Sequence, residues 1–180
     1  MVIYVVRHGQ TNWNLENRWQ GRSDIALNDN GINQAKDVKK QLSPIKFDIC
    51  ISSPLKRAAK TAEIISSPKC KIIYDNLLIE RCFGKREGLI DNDKIPQNYD
   101  YNLDNLDENY GDNSFETFRS LLNRAEAFLE KIKQRKEQYI LIVSHGEFLK
   151  ALNYVIVGYD KNTNFDDYQI ENCGFHKYEI

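Results

Sequence analysis

Long apolar runs are missing from this sequence. None reaches the length needed to span a bilayer, and the apolar stretch at the N-terminus has no basic region before it and no small-residue cleavage site after it. These absences speak against a transmembrane segment and a secretory leader and predict a cytoplasmic protein with no membrane partner. Cysteine is scarce and scattered. Cys50, Cys70, Cys82 and Cys173 contain no CxxC pair, which disfavours a zinc site and fits reduced thiols. Charge of one sign is not in excess either: a net charge of −1 gives no general attraction to nucleic acid, so any anion site has to be local. Internal repeats and low-complexity segments are absent.

What remains is an ordinary globular composition, 41% apolar and 28% charged over 180 residues. That length predicts one domain over residues 1–180, able to bury roughly two thirds of its unfolded surface without staples. The apolar run Val2 to Val6, broken at once by Arg7-His8-Gly9, reads as a buried strand ending in a sharp turn. Gly9 is expected to permit that turn. Ligands of open α/β sheets sit in the crevice beyond the carboxyl ends of strands, which is where Arg7 and His8 fall.

A polar loop follows over Leu15 to Leu27, with Trp13 just before it and Trp19 and Gln20-Gly21-Arg22 within it, and is expected to wall the site. Asn28 caps a helix with the apolar stripe Ile32, Ala35, Val38 and Leu42. Phe47 to Ile51 reads as a second strand, and Ser52-Ser53-Pro54 as an N-cap with proline in the first helical position. That helix carries Arg57 in its first turn, off the apolar face. Lys71 to Tyr74 is a third strand. Residues 75–113 show no sustained period and are rich in acids, among them Asp91, Asp93, Asp100, Asp104, Asp107, Glu108 and Asp112. They are read as a loop region over the mouth of the site, or else as a solvated surface insertion. Ser114 opens the longest helix, on Phe115, Phe118, Leu121, Leu122, Ala125, Phe128, Leu129 and Ile132. Tyr139 to Val143 is the clearest buried strand. It ends in Ser144-His145-Gly146 before an apolar helix over 148–157, and a last strand-like stretch runs over 175–180.

Two of the three histidines thus follow strands and precede glycines, which favours a shared site over two satisfied core histidines. His176 has no such setting and reads as structural or solvated. A pocket holding Arg7, Arg57, His8 and His145, without clustered carboxylates or cysteines, suits a phosphate group better than a metal. Guanidinium forks match phosphate oxygens in pairs and stay charged. A histidine attacks phosphorus provided the attacking nitrogen is unprotonated and the other is hydrogen-bonded, which makes His8 the candidate nucleophile. The arginines and His145 would meet the charge on the equatorial oxygens, so neither a metal nor another cofactor is called for. A leaving alkoxide needs a proton, so a carboxyl group should stand nearby.

The patterns Arg7-His8-Gly9-Gln10-Thr11-x-x-Asn14, Ser52-Ser53-Pro54-Leu55-x-Arg57-Ala58-x-x-Thr61-Ala62, Glu80-x-x-Phe83-Gly84-x-x-Glu87-Gly88 and Ser144-His145-Gly146 together resemble the histidine phosphatase superfamily, also called phosphoglycerate mutase-like. The motifs stand in the family's order and span nearly the whole chain. The resemblance implies a three-layer α/β/α sandwich with a mostly parallel central sheet. It also implies that His8 is the phosphorylated nucleophile, that Arg7, Arg57 and His145 bind the transferring group, and that Glu80 donates the proton to the leaving group. Asn14 and Gly146 would help hold phosphate, and Gln20 and Gly21 would contact substrate.

The family contains phosphatases and mutases. This chain lacks the adjacent arginine pair and the tyrosine and lysine pattern with which phosphoglycerate mutases hold a substrate carboxylate after the proton-donor glutamate, and only Lys85, Arg86 and Lys94 are nearby cations. An acidic mouth should also repel a trianionic phosphoglycerate. The expected activity is therefore hydrolysis of a small-molecule phosphate ester, as in α-ribazole or broad-specificity phosphatases. A cofactor-dependent phosphoglycerate mutase and a catalytically silent phosphate-binding module are the alternatives. Gln10 and Glu147 depart from the commonest family pattern, and Glu147 adds negative charge beside the site.

Overall fold

The computed structural model of the protein describes residues 1–90 and 103–180. Its centre is a five-stranded sheet in the order β3-β2-β4-β1-β5. The strands are β1 (Val2–Arg7), β2 (Ile49–Ser52), β3 (Lys71–Tyr74), β4 (Tyr139–Ser144) and β5 (Phe175–Glu179). The first four run parallel, and β5 closes one edge antiparallel to β1.

The apolar runs are uninterrupted because the sheet is covered on both faces. Side chains alternate along each strand, so Ile3, Val5, Ile49, Ile51, Ile140 and Ile142 face one layer while Tyr4, Val6, Cys50, Leu141 and Val143 face the other. The first set packs against α4 (Phe118–Lys133) and α5 (Gly146–Val157), the second against α2 (Asp29–Leu42) and α3 (Lys56–Ile65). Each fully buried aliphatic or aromatic side chain here contributes about 1.5–3 kcal/mol. The result is the three-layer α/β/α sandwich expected from the alternation of strand and helix. Among the described residues no helix is long and apolar enough to cross a membrane.

Helix ends follow the chain's capping residues, with two departures from expectation. Asn28 caps α2 as expected, its side chain accepting from Gly31 N at 2.8 Å. The longest helix, however, does not begin at Ser114. Thr117 caps α4 by accepting from Ser120 N at 3.2 Å, while Ser114 donates to Asp112 and Phe115 bridges to Phe83 in the preceding loop. Phe115 fits the helical period but packs on loop residues. Nor does Pro54 open α3. That helix starts two residues later, after Leu55, which makes no side-chain cap, and Ser53 is engaged elsewhere.

Of the segment 75–113, residues 91–102, with Asp91, Asp93, Lys94 and Asp100, lie outside the described residues, and so does that part of the expected loop over the site. The described parts form short 3-10 turns at 76–78, 84–86 and 103–105. They anchor on the α4 side of the core through Leu78 and Leu106, so the segment is more than a surface insertion.

Candidate active site

Parallel pairing explains why two histidines far apart in sequence meet. Arg7 on β1 stands opposite Ser144 on β4, so the residues that follow, His8 and His145, leave adjacent strands side by side. Their ring centroids are 5.1 Å apart. Ser52 ends β2 beside Val143 of β4, which brings Ser53 to the same edge of the sheet. The Gly9 turn forms, but for a different reason from the one expected. Gly9 is not in the left-handed region; it is glycine because a Cβ there would lie 2.5 Å from the carbonyl oxygen of Gly31 as α2 passes close by.

His8 is buried and both ring nitrogens are bonded. Nδ1 lies 2.7 Å from the Gly9 carbonyl oxygen, which can only accept, so Nδ1 carries the proton and Nε2 holds the lone pair. Arg57 Nε donates to that Nε2 at 3.2 Å. Burial, then the neighbouring charges of Arg57 and Arg7, holds the pKa of His8 well below the ordinary 6.5. The imidazole is neutral at physiological pH with its lone-pair nitrogen facing a guanidinium.

Arg57 comes from the first turn of α3 and is fully buried, not solvated. Nη1 donates to Ser23 O and Nη2 to Gly21 O, both at 2.7 Å, so the fork is fixed by two carbonyls of the 20–24 loop. Arg7 donates from Nη1 to Ile170 O at 2.7 Å. Burial lowers the pKa of both, that of Arg57 to about 10, and both stay charged at neutral pH. His145 Nε2 is 2.8 Å from the Ser53 hydroxyl, and burial, followed by the Arg57 charge, keeps the ring neutral. Two buried polar atoms at this centre, Arg7 Nε and His145 Nδ1, meet no hydrogen-bond partner among the described residues.

Glu80 is buried against the start of α5. Oε1 accepts from Phe148 N at 3.2 Å and from Arg81 N at 2.9 Å, and Oε2 from Glu147 N at 3.4 Å. Burial, then the adjacent Glu147 carboxylate, raises its pKa above the ordinary carboxylate value, against the pull of its hydrogen bonds and of Arg57 and Arg7. Glu147 itself pairs with Arg81 at 3.4 Å and with Lys150 at 3.3 Å, and Lys150 also pairs with Asp166.

Arg7, His8, Arg57, Glu80, Glu147 and Lys150 line one cavity of about 370 Å³ together with Asn14, Gln20, Gly21 and Gly146, the other residues singled out from sequence, while His145 is fully buried beside His8 and is not part of the cavity wall. Asn14 Oδ1 accepts from Thr11 N at 3.0 Å in a capping box on the short helix α1 (Asn12–Leu15), which leaves its amide nitrogen as the donor. Gln20 Oε1 accepts from the Thr11 hydroxyl at 3.0 Å. Gly21 has φ of +50° and supplies its carbonyl to Arg57. Gly146 heads α5, where a Cβ would lie 3.5 Å from Arg7 Nε. The sequence reading missed Ser53 as the partner of His145, Thr61 as the acceptor from Gly9 N at 3.0 Å, and the wall built by Lys150, Tyr168 and Ile170. Thr61 left a signal: a polar residue four positions after Arg57 on the buried face of α3. His176 is exposed and is not part of the cavity wall, its ring packing against that of Tyr168 at 5.1 Å. Among the described residues no group of three or more His, Cys, Asp or Glu side chains could hold a metal ion.

Two guanidinium groups, a neutral histidine and a buried carboxyl group on this sheet have the chemistry to hold and transfer a phosphoryl group. The chain belongs to the histidine phosphatase superfamily (branch 1), whose sequence pattern matches residues 3–180. It is 35% identical over 164 residues to the uncharacterized phosphatase PhoE of Bacillus subtilis, covering 88% of this chain and 79% of that one. It is 36% identical over 157 residues to phosphoglycerate mutase-like protein 4 of Arabidopsis thaliana, covering 83% and 68%. Among solved structures it superimposes with a TM-score of 0.80 on a phosphoserine phosphatase from Entamoeba histolytica in complex with 3-phosphoglyceric acid, 28% identical, over 98% of this chain and 89% of that one.

Proposed function

We propose that the protein hydrolyses small-molecule phosphate monoesters through a phosphohistidine on His8. The observation that carries this reading is the pair of buried, unpartnered atoms Arg7 Nε and His145 Nδ1 beside a neutral His8. Buried polar groups are rarely left unsatisfied, and a phosphoryl group supplies oxygens to Arg7 and to a His145 that carries its proton on Nδ1.

In the first step His8 Nε2 leaves its bond to Arg57 Nε and attacks phosphorus, the P–O bond to the leaving group breaks, and the departing oxygen takes the Glu80 proton. In the second step water attacks the phosphohistidine, Glu80 takes its proton back from that water, and the P–N bond breaks to give inorganic phosphate. Arg7, Arg57 and His145 meet the charge on the equatorial oxygens, with Asn14 and the amide of Gly146 as further donors. Gln20 and Gly21 shape the wall.

Transfer to water, rather than to a second phosphate ester, is supported by the state of the other cations. Lys150 is paired with Glu147 and Asp166, and Arg18 with Glu16, so a substrate carboxylate would have to compete with carboxylates of the chain. The likenesses to a phosphatase and a phosphoserine phosphatase point the same way. One domain over 1–180 with Glu80 and Phe83 of residues 75–90 on its cavity wall, a cytoplasmic place of work, and no nucleic-acid partner complete the reading, supported by four free cysteines and a cavity sized for a small ester.

The test is phosphate release from a panel of nucleotides, sugar phosphates, phosphoserine, 3-phosphoglycerate and α-ribazole phosphate, with protein quenched in alkaline denaturant, where the P–N bond survives, analysed for a phosphoryl mass increment on His8. Hydrolysis and the increment are expected in the natural protein and neither in H8A. Interconversion of phosphoglycerates faster than any phosphate release would establish the mutase instead.

A further inference from the structure

Glu87 touches neither histidine, yet it holds the loop that holds Arg57. Its Oε1 accepts from Arg22 N at 3.0 Å and Phe83 N at 3.2 Å, and its Oε2 accepts from Ser23 N and the Ser23 hydroxyl, both at 2.9 Å. Four donors converge on one carboxylate, which adds to the turn's own backbone bonds, Ser23 N to Gln20 O at 3.0 Å and Ile25 N to Ser23 O at 3.1 Å. The turn is built around it: Gly21 is left-handed, and a Cβ there would lie 2.1 Å from Glu87 Oε1. The two carbonyls of this turn, Gly21 O and Ser23 O, are the ones that grip the Arg57 fork.

We infer that Glu87 is a positioning residue for phosphoryl transfer: by pinning residues 21–23 it sets the plane of the Arg57 guanidinium against the reacting phosphoryl group and the His8 Nε2. The carboxylate is suited to this because it only accepts. An amide in its place would turn an NH2 group toward the amide and hydroxyl of Ser23 or toward the amides of Arg22 and Phe83, putting donor against donor. The surrounding chain keeps its own ties, Gly88 N to Trp19 O at 2.8 Å, Trp19 N to Leu89 O at 3.0 Å and Lys56 N to Asp24 at 2.7 Å, so the loss falls on the turn and not on the fold.

The inference rests on the reading of Arg57 as a phosphoryl ligand, and a double-mutant cycle separates the two. kcat/KM for p-nitrophenyl phosphate is measured for the natural protein, E87Q, R57A and the double variant. E87Q is expected to lose on the order of 10²-fold, the scale of a small misplacement of a positioned group, and to lose less than about threefold when added to R57A, because the residue it positions is gone. Equal losses in both backgrounds, or less than about twofold in E87Q alone, would overturn the positioning role and leave the function of Arg57 standing. An R57A variant as active as the natural protein would overturn the phosphoryl reading of Arg57 and this inference with it. Should E87Q not fold, E87D takes its place in the same cycle, since its shorter side chain cannot reach all four donors.

Discussion

At the scale of single residues the site is a set of displaced proton affinities. His8 is pushed down and Glu80 up, mainly by burial, which widens the pH range over which the proposed nucleophile is neutral and the proposed acid keeps its proton. Glu147 is the second cause of the Glu80 shift and is no cause of the His8 shift, which makes the two limbs of a pH profile separable. In E147Q the carboxylate that opposes ionisation of Glu80 is gone, while Arg81 and Lys150 lose a partner and act more strongly on what remains. The basic limb of kcat/KM is therefore expected to move to lower pH and the acid limb to stay. A shift of the acid limb instead would show that Glu147 acts on another group. The histidines were legible in the sequence because each follows an apolar run and precedes a glycine. Glu80 was not, except by resemblance: the amide of Phe148 that holds it lies 68 positions away, and no local pattern distinguishes it from its acidic neighbours.

Elements were legible where burial enforces a period and misread where one residue type serves two purposes. Ser-Ser-Pro is a sound helix-start signal, but here the Ser53 hydroxyl is bound to His145, 92 positions away. Phe115 satisfied the helical repeat and extended the predicted α4 by one turn, whereas Thr117 makes the cap. Thermal or denaturant unfolding should reproduce that assignment: T117A is expected to lose about 1 kcal/mol, and S114A to change stability by less than about 0.5 kcal/mol. The reverse ranking would return the helix start to Ser114.

For the whole molecule, a preformed cradle means that inorganic phosphate binds the folded chain and not the unfolded one. At a hundredfold excess over its Kd, phosphate should stabilise by about 2.7 kcal/mol, a rise in Tm of roughly 5–10 °C for a chain of this size. Removing Arg7, whose Nε is one of the two unpartnered atoms, should abolish the rise at matched ionic strength. An equal rise in R7A would indicate a general salt effect.

The sheet order carries one more consequence. Strand β1 has β4 and β5 as its neighbours, and both are encoded far downstream of it. On the ribosome, the segment bearing His8 emerges early and has no strand to pair with until the codons for Tyr139–Ser144 have been read. Cys173 and Asn172, which bind the backbone of Arg7 and His8, emerge later still. An interrupted transcript would therefore release a chain that holds the nucleophile and lacks the structure to use it.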